Sequence, residues 1–194
     1  MSDADAGAHR TPMSYDEYRR VERASETKHE FADSEMFAMA GAKRAHNVAA
    51  ANVIGELRNA LRTTPCQVYT SDMRVRTAND VGAYPDVSVA CAEPRFTDEF
   101  EDELLNPVLI VEVLSDSTEA YDRGKKFEHY QTVDSLREYV LVDPRRVHVD
   151  VFTRERDGWM LRSFGQGGEI RLPSVDVVVR MDEIYAKVLA AAAE

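Results

Sequence analysis

No apolar run in the sequence approaches the roughly 20 residues that a membrane-spanning helix needs, so no transmembrane segment is expected. The first stretch, MSDADAGAHRTP, is polar and acidic and has no hydrophobic region of the kind a secretory signal carries. Cysteine is scarce: Cys66 and Cys91 are the two present, and they form no close pair. A reduced, cytoplasmic chain is the expectation that follows. Basic residues are also in deficit, with 24 Lys and Arg against 35 Asp and Glu and a formal net charge of −11. Taken alone, that balance argues against a protein that coats nucleic acid through its global field.

What remains is ample for a folded domain. At 194 residues the chain is long enough to bury a core, and one domain is expected over 13–194 after a disordered leader over 1–12. The charge is unevenly spread. Glu93–Glu103 (EPRFTDEFEDE) is densely acidic, whereas basic residues gather at Arg19, Arg20 and Arg23, at Lys43 and Arg44, at Arg74 and Arg76, at Arg123, Lys125 and Lys126, and at Arg145 and Arg146. These clusters are either a local phosphate-binding surface or scattered solvated charge.

Periodicity orders the elements. Ser14 and Glu17 make a capping box for a helix running to about Ser25. Short strands follow at Lys28–Phe31 and Glu35–Ala40. A second helix spans Arg44–Arg62, with Val48, Ala51, Ile54, Leu57, Ala60 and Leu61 as its core face. Strands are expected at Gln67–Thr70, Met73–Arg76, Tyr84–Cys91, Pro107–Leu114 and Arg137–Val142. A helix over Glu119–Val133 separates the last two. In Met73–Arg76 the two arginines alternate with apolar residues, which implies one polar face. A hairpin over Val147–Phe164, a strand at Val175–Val179 and a helix at Met181–Ala192 complete the chain. The order implies an α/β (α+β) fold, a mixed sheet with helices packed against it.

The chemically informative stretch is Pro107–Ser115, PVLIVEVLS. It suits a strand buried on both faces except for Glu112. An ionised carboxylate buried without partners costs several kcal/mol or more. Glu112 must therefore meet a metal ion, a basic side chain or sufficient donors, or stay protonated. Asp86 follows Tyr84–Pro85, and proline belongs at a strand end or edge, so Asp86 sits near a sheet end. If the two strands are neighbours, Asp86 and Glu112 converge, and a divalent cation with hard oxygen ligands would relieve their repulsion. Lys126 sits beside Phe127 and one turn before Tyr130, from where it could point back toward the strand end. A solvated helix face is the plainer role for Lys125 and Lys126.

The ordered set KHEF, AD, SE, MFAMAGA, HN, SDMRV, YPDVSV, PVLIVEVLSDST, YDRGKKFEHY and LREYVLVDP resembles the Uma2 family, a branch of the PD-(D/E)xK nuclease superfamily. The resemblance runs from about Tyr15 to Tyr185. It implies a restriction-endonuclease-like fold, a central mixed β-sheet flanked by helices, and a metal site. Pro85–Asp86 matches the PD element and Glu112 the acid of the second half-motif. The lysine normally found two residues later is replaced by Leu114, and Lys126 is the matching candidate, with Lys125 second. Glu30 resembles the superfamily's additional acid; pairing with Lys28 in a hairpin is its plainer reading. His46, in the HN pair, is read as a neighbour of a helix cap or a packed histidine rather than as catalytic. Ser34 stands where glycine is common and Asp116 where proline is common.

These readings imply an endonuclease-like, Mg²⁺-dependent phosphodiesterase acting on nucleic acid, with DNA the expected substrate and Mn²⁺ an alternative metal. Asp86, Glu112 and Lys126 are the catalytic candidates. Asp86, Glu112, Glu30 and the Val113 carbonyl are the metal candidates, and Arg74, Arg76, Arg123 and Lys125 the phosphate contacts. The alternative is a nuclease-fold DNA-binding or accessory protein without useful catalysis. The exposed hairpin edge suggests a homodimer, and no membrane partner is expected.

Overall fold

The computed structural model describes residues 12–189. The leader expected over 1–12 therefore lies outside the described residues apart from Pro12. Helix α1 (Tyr15–Ala24) opens with the expected capping box: the Glu17 amide donates to Ser14 Oγ at 3.3 Å and the Ser14 amide to Glu17 Oε2 at 2.9 Å. Strands β1 (His29–Ala32) and β2 (Glu35–Ala38) form a hairpin, and α2 (Arg44–Leu61) follows. The buried face of α2 is Ala49, Val53, Leu57 and Leu61, at a four-residue spacing. The expected core residues Ala51 and Ala60 are exposed, so the apolar stripe lies to one side of the face read from the sequence. Small alanines fit either face, and packing against the sheet decides.

Next come β3 (Gln67–Thr70), β4 (Arg74–Arg76), β5 (Gly82–Ala83), β6 (Val87–Ala90), β7 (Glu103–Leu104) and β8 (Leu109–Val113). The helix expected over Glu119–Val133 is divided at Gly124 into α3 (Glu119–Arg123) and α4 (Lys125–Gln131), because Gly124 leaves helical geometry at φ −115° and ψ −98°. Strands β9 (Glu138–Asp143), β10 (His148–Glu155) and β11 (Gly158–Phe164) complete the main sheet. A small ribbon of β12 (Glu169–Leu172) and β13 (Val177–Arg180) precedes α5 (Met181–Ile184). Strand β12 has no counterpart among the expected elements. The last helix is also shorter than expected, and Lys187 takes a left-handed φ of 61° that interrupts it. Its expected end at Ala192 lies outside the described residues. Among the described residues no helix is long and apolar enough to cross a membrane.

Two sheets carry the fold. The six-stranded sheet runs β11-β10-β9-β8-β6-β3, antiparallel except for the parallel β8–β9 pair. The five-stranded sheet runs β2-β1-β5-β4-β7. The strand expected over Tyr84–Cys91 is shorter, with β6 alone lying inside it and belonging to the first sheet, whereas β5, just before it, belongs to the second. Tyr84–Pro85–Asp86 is the crossover, and Pro85, with no amide to give a ladder, occupies the break. Strand β8 is buried at all five positions. Leu109, Val111 and Val113 face the core shared with α2, while Ile110 joins Leu114, Phe127 and Tyr130 on the other side. Glu112 belongs to that second face.

Cys66 and Cys91 are joined in a disulfide, which corrects the expectation of a reduced chain with no close pair. The pairing of Gln67 with Ala90 places the two cysteines opposite each other at the open end of the β3–β6 ladder. Local sequence pattern finds both strands but not their register. The bridge closes a loop of 25 residues, and a loop of that size stabilises by about 3.5 kcal/mol when chain entropy dominates. Thermal melting with and without dithiothreitol is expected to show a lower midpoint for the reduced protein.

Candidate metal and catalytic site

The site lies where the two sheets meet. In the β6–β8 ladder Val87 pairs with Val111. Continued by one residue, that antiparallel register sets Asp86 across from Glu112, the closest arrangement two strands offer to a pair of side chains. Asp86 is held there by the chain itself: the Val113 amide donates to its Oδ2 at 2.7 Å. The structure thus makes the two strands neighbours and brings both acids to one place.

Lys126 arrives from the other direction. The break at Gly124 starts α4 afresh, and Phe127 fixes it by stacking on Tyr139 with centroids 4.9 Å apart. Leu114 packs in the same apolar cluster, so the position that lacks a lysine supports the helix that supplies one. The Lys126 ammonium stands 2.9 Å from Glu112 Oε1, 2.9 Å from Glu30 Oε1 and 3.6 Å from Asp122 Oδ1. The Tyr130 hydroxyl donates to the same Glu112 oxygen at 3.1 Å. Both contacts fall on Oε1. Glu30 also accepts from the Tyr84 amide at 3.2 Å, so β1, the crossover and α4 converge on one carboxylate.

The electrostatics are one-sided. Lys126, Glu112 and Asp122 are all buried. Burial alone would lower the Lys126 pKa, but Glu112, Glu30, Tyr130 and Asp122 hold the ammonium protonated, well above its usual range. Burial pushes the Glu112 carboxyl well above the usual carboxylate range. Lys126 opposes this, while Asp122, Asp86 and Glu30 push it higher. Asp122 is raised by burial in the same way, against the pull of Lys126. Three acids, Glu30, Glu112 and Asp122, therefore share one lysine.

Two expected roles change here. Glu30 does not join Asp86 and Glu112 in a three-acid cage, because Lys126 stands between Glu30 and Glu112. Among the described residues no three His, Cys, Asp or Glu side chains form a ready-made metal site. The donor set still fits a hard dication, which commonly takes one or two carboxylates, a carbonyl and water, and the surplus of acid is what such an ion would offset. His46, read as a packed or cap-adjacent histidine, instead reaches this centre: its Nε2 lies 3.2 Å from Asp86 Oδ2. Burial would lower its pKa, but Asp86 and the Val113 carbonyl raise it. Only the HN pair at the start of α2 hinted at it.

The expected phosphate contacts are all engaged within the chain. Arg74 is 1% exposed, with its Nε 2.9 Å from Glu103 Oε1. This corrects both its assignment as a phosphate contact and the polar face read into Met73–Arg76, because β7 and α1 cover that face. Arg76 pairs with Asp80 at 2.7 Å, Arg123 with Glu119 and Asp150 at 2.9 and 2.7 Å, and the exposed Lys125 with Asp33. Asp116, the residue in place of the usual proline, is itself paired with Lys43 at 2.8 Å.

A family model described as "Putative restriction endonuclease", Uma2, matches residues 15–180. The chain belongs to the Uma2 family. Two curated relatives, the uncharacterized proteins slr1290 and sll1609 of Synechocystis sp. PCC 6803, support the placement. The first is 34% identical over 176 residues, covering 89% of this chain and 91% of its own. The second is 35% identical over 157 residues, covering 79% and 89%. This Uma2 chain also superposes on a crystal structure from Anabaena variabilis titled as a "putative nuclease belonging to DUF820". The TM-score is 0.75 and the identity 16%, with 92% of this chain and all of that one covered. The likeness establishes the nuclease-like fold expected from the sequence.

Proposed function

We propose that this chain is a Mg²⁺-dependent phosphodiesterase that hydrolyses nucleic acid, with DNA as substrate and Mn²⁺ as a working substitute. The observation that carries the reading is the meeting of Asp86, Glu112 and Lys126 at the junction of the two sheets. Asp86, Glu112 and the Val113 carbonyl would hold the cation. When bound, such an ion polarises a phosphate oxygen and lowers the pKa of attacking water. The chain's own residues do the rest. The Val113 amide and His46 both engage Asp86 Oδ2 and so keep Oδ1 for the ion. Glu30 and Glu112 aim the Lys126 ammonium, a fixed positive charge beside the reacting phosphate, where preorganised charge is worth most in the transition state.

A second reading, a nuclease-fold binding protein without useful catalysis, is favoured by the internal pairing of Arg74, Arg76, Arg123 and Lys125. Incubation of plasmid and branched DNA with Mg²⁺ or Mn²⁺ separates the two. Cleavage by the wild type that disappears in Asp86→Ala supports catalysis at this site. Cleavage that persists in Asp86→Ala sinks the site, and binding without cleavage by the wild type supports the second reading.

A further inference from the structure

If the site acts on nucleic acid, something other than a basic surface must hold the strand. Arg74 is buried, and Arg76, Arg123 and Lys125 each have a carboxylate partner. Arg19 and Arg23, on α1, are likewise engaged by Asp98 of the acidic loop. A chain of net charge −11 with its nearby cations so occupied gains little from counterion release. The other general means of gripping a nucleic-acid strand is to stack its bases on aromatic rings.

Phe37 is placed to do this. In the β1–β2 hairpin it pairs directly with Glu30, so the two side chains stand on the same face. Glu30 is the acid that holds Lys126 at 2.9 Å. The neighbouring pair, Phe31 with Met36, points the opposite way and packs with Tyr15 and Tyr18. The Glu30 face is thus the one turned to the site, and β2 is the edge strand of its sheet. Phe37 is nevertheless 50% exposed, whereas Phe31 is 3% exposed. A large ring left in water beside a charged site gains by being covered.

We infer that Phe37 stacks an unpaired nucleobase next to the scissile phosphate, so that the substrate is single-stranded or locally opened nucleic acid rather than intact duplex. A base inside a duplex has no free face to offer, whereas an unpaired base of any identity does. The inference rests on the nuclease reading above and adds the substrate class to it. Tyr121, half-buried on α3, is near enough for the charges of Glu30, Lys126 and Asp33 to act on its hydroxyl, and it supplies a second aromatic at this side of the site.

The test uses the full chain with Ca²⁺ in place of Mg²⁺, so that binding is read without cleavage. The probe is a single-stranded oligonucleotide carrying 2-aminopurine, whose fluorescence falls on stacking. Phe37→Ala is expected to weaken its binding about tenfold and to remove the quench, whereas Phe37→Tyr keeps both. Leu161→Ala, an equally exposed apolar residue on the far edge strand β11, controls for a general loss of apolar surface and is expected to bind as wild type. Wild-type binding of single strand and duplex with equal affinity overturns the inference, as does an unchanged single-strand affinity in Phe37→Ala. In either case wild-type cleavage in Mg²⁺ shows that the nuclease reading survives. A wild type that neither binds nor cleaves any nucleic acid overturns both.

Discussion

Replacing Glu112 with glutamine is expected to reduce metal-dependent cleavage roughly a thousandfold or more, the scale of several kcal/mol of lost charge stabilisation, while leaving the metal-free protein at least as stable. The two halves of this result have one cause. Glu112 is buried on β8, where Asp122, Asp86 and Glu30 push its carboxyl up and Lys126 opposes them. Glutamine keeps the shape and accepts from Tyr130, but removes one negative charge from a surplus. Lys126 still has Glu30 at 2.9 Å and Asp122 at 3.6 Å. Loss of function without loss of stability is the behaviour of a residue kept for its chemistry. The pH dependence has a definite sign. The folded-state pKa of Glu112 lies above its unfolded value, so its contribution to stability is fully present below the ordinary glutamate pKa. That contribution is lost as pH rises toward the raised value. Chemical denaturation of the metal-free wild type should therefore show falling stability with rising pH over that window, and the Glu112→Gln profile should be flatter.

Lys126→Met is expected to do the reverse. Methionine matches the lysine stem but carries no charge, and the buried carboxylates then face one another without a counterion. Breaking a buried pair by removing one partner costs about 3–5 kcal/mol. Part of that loss should return when Mg²⁺ or Mn²⁺ is added, because an ion that binds only the folded state stabilises it. Thermal melting with and without the metal reads both effects. The opposite stability signs of the two variants distinguish an acid surplus built to hold a cation from a plain Glu112–Lys126 ion pair. A plain pair would be weakened from either side.

Much of the site was legible because its signals are local. An acid in an otherwise apolar strand marks Glu112, a proline before an acid marks Asp86, and a lysine beside a helical apolar stripe marks Lys126. The facing sets Leu109, Val111, Val113 and Ile110, Glu112, Leu114 followed from alternation alone. What escaped depends on contacts between distant segments. Cys66 and Cys91 become partners only through the β3–β6 register. Alternation sets Arg74 on one face of β4 but does not say that Glu103 covers it. That β5 and β6, on either side of Tyr84–Pro85–Asp86, join different sheets is a matter of topology, and it is what brings Glu30 to the site. His46 reaches Asp86 because α2 packs across β6 and β8, which no spacing within the helix reveals.

We propose that Asp86 and Glu112 hold a divalent cation beside Lys126. Anomalous scattering from a crystal soaked in Mn²⁺ decides the matter. A peak is expected within coordinating distance of both carboxylates, with the Lys126 ammonium adjacent and no peak in Glu112→Gln crystals. A soaked wild-type crystal with no peak at the sheet junction, or with one bound away from Asp86 and Glu112, would contradict the claim.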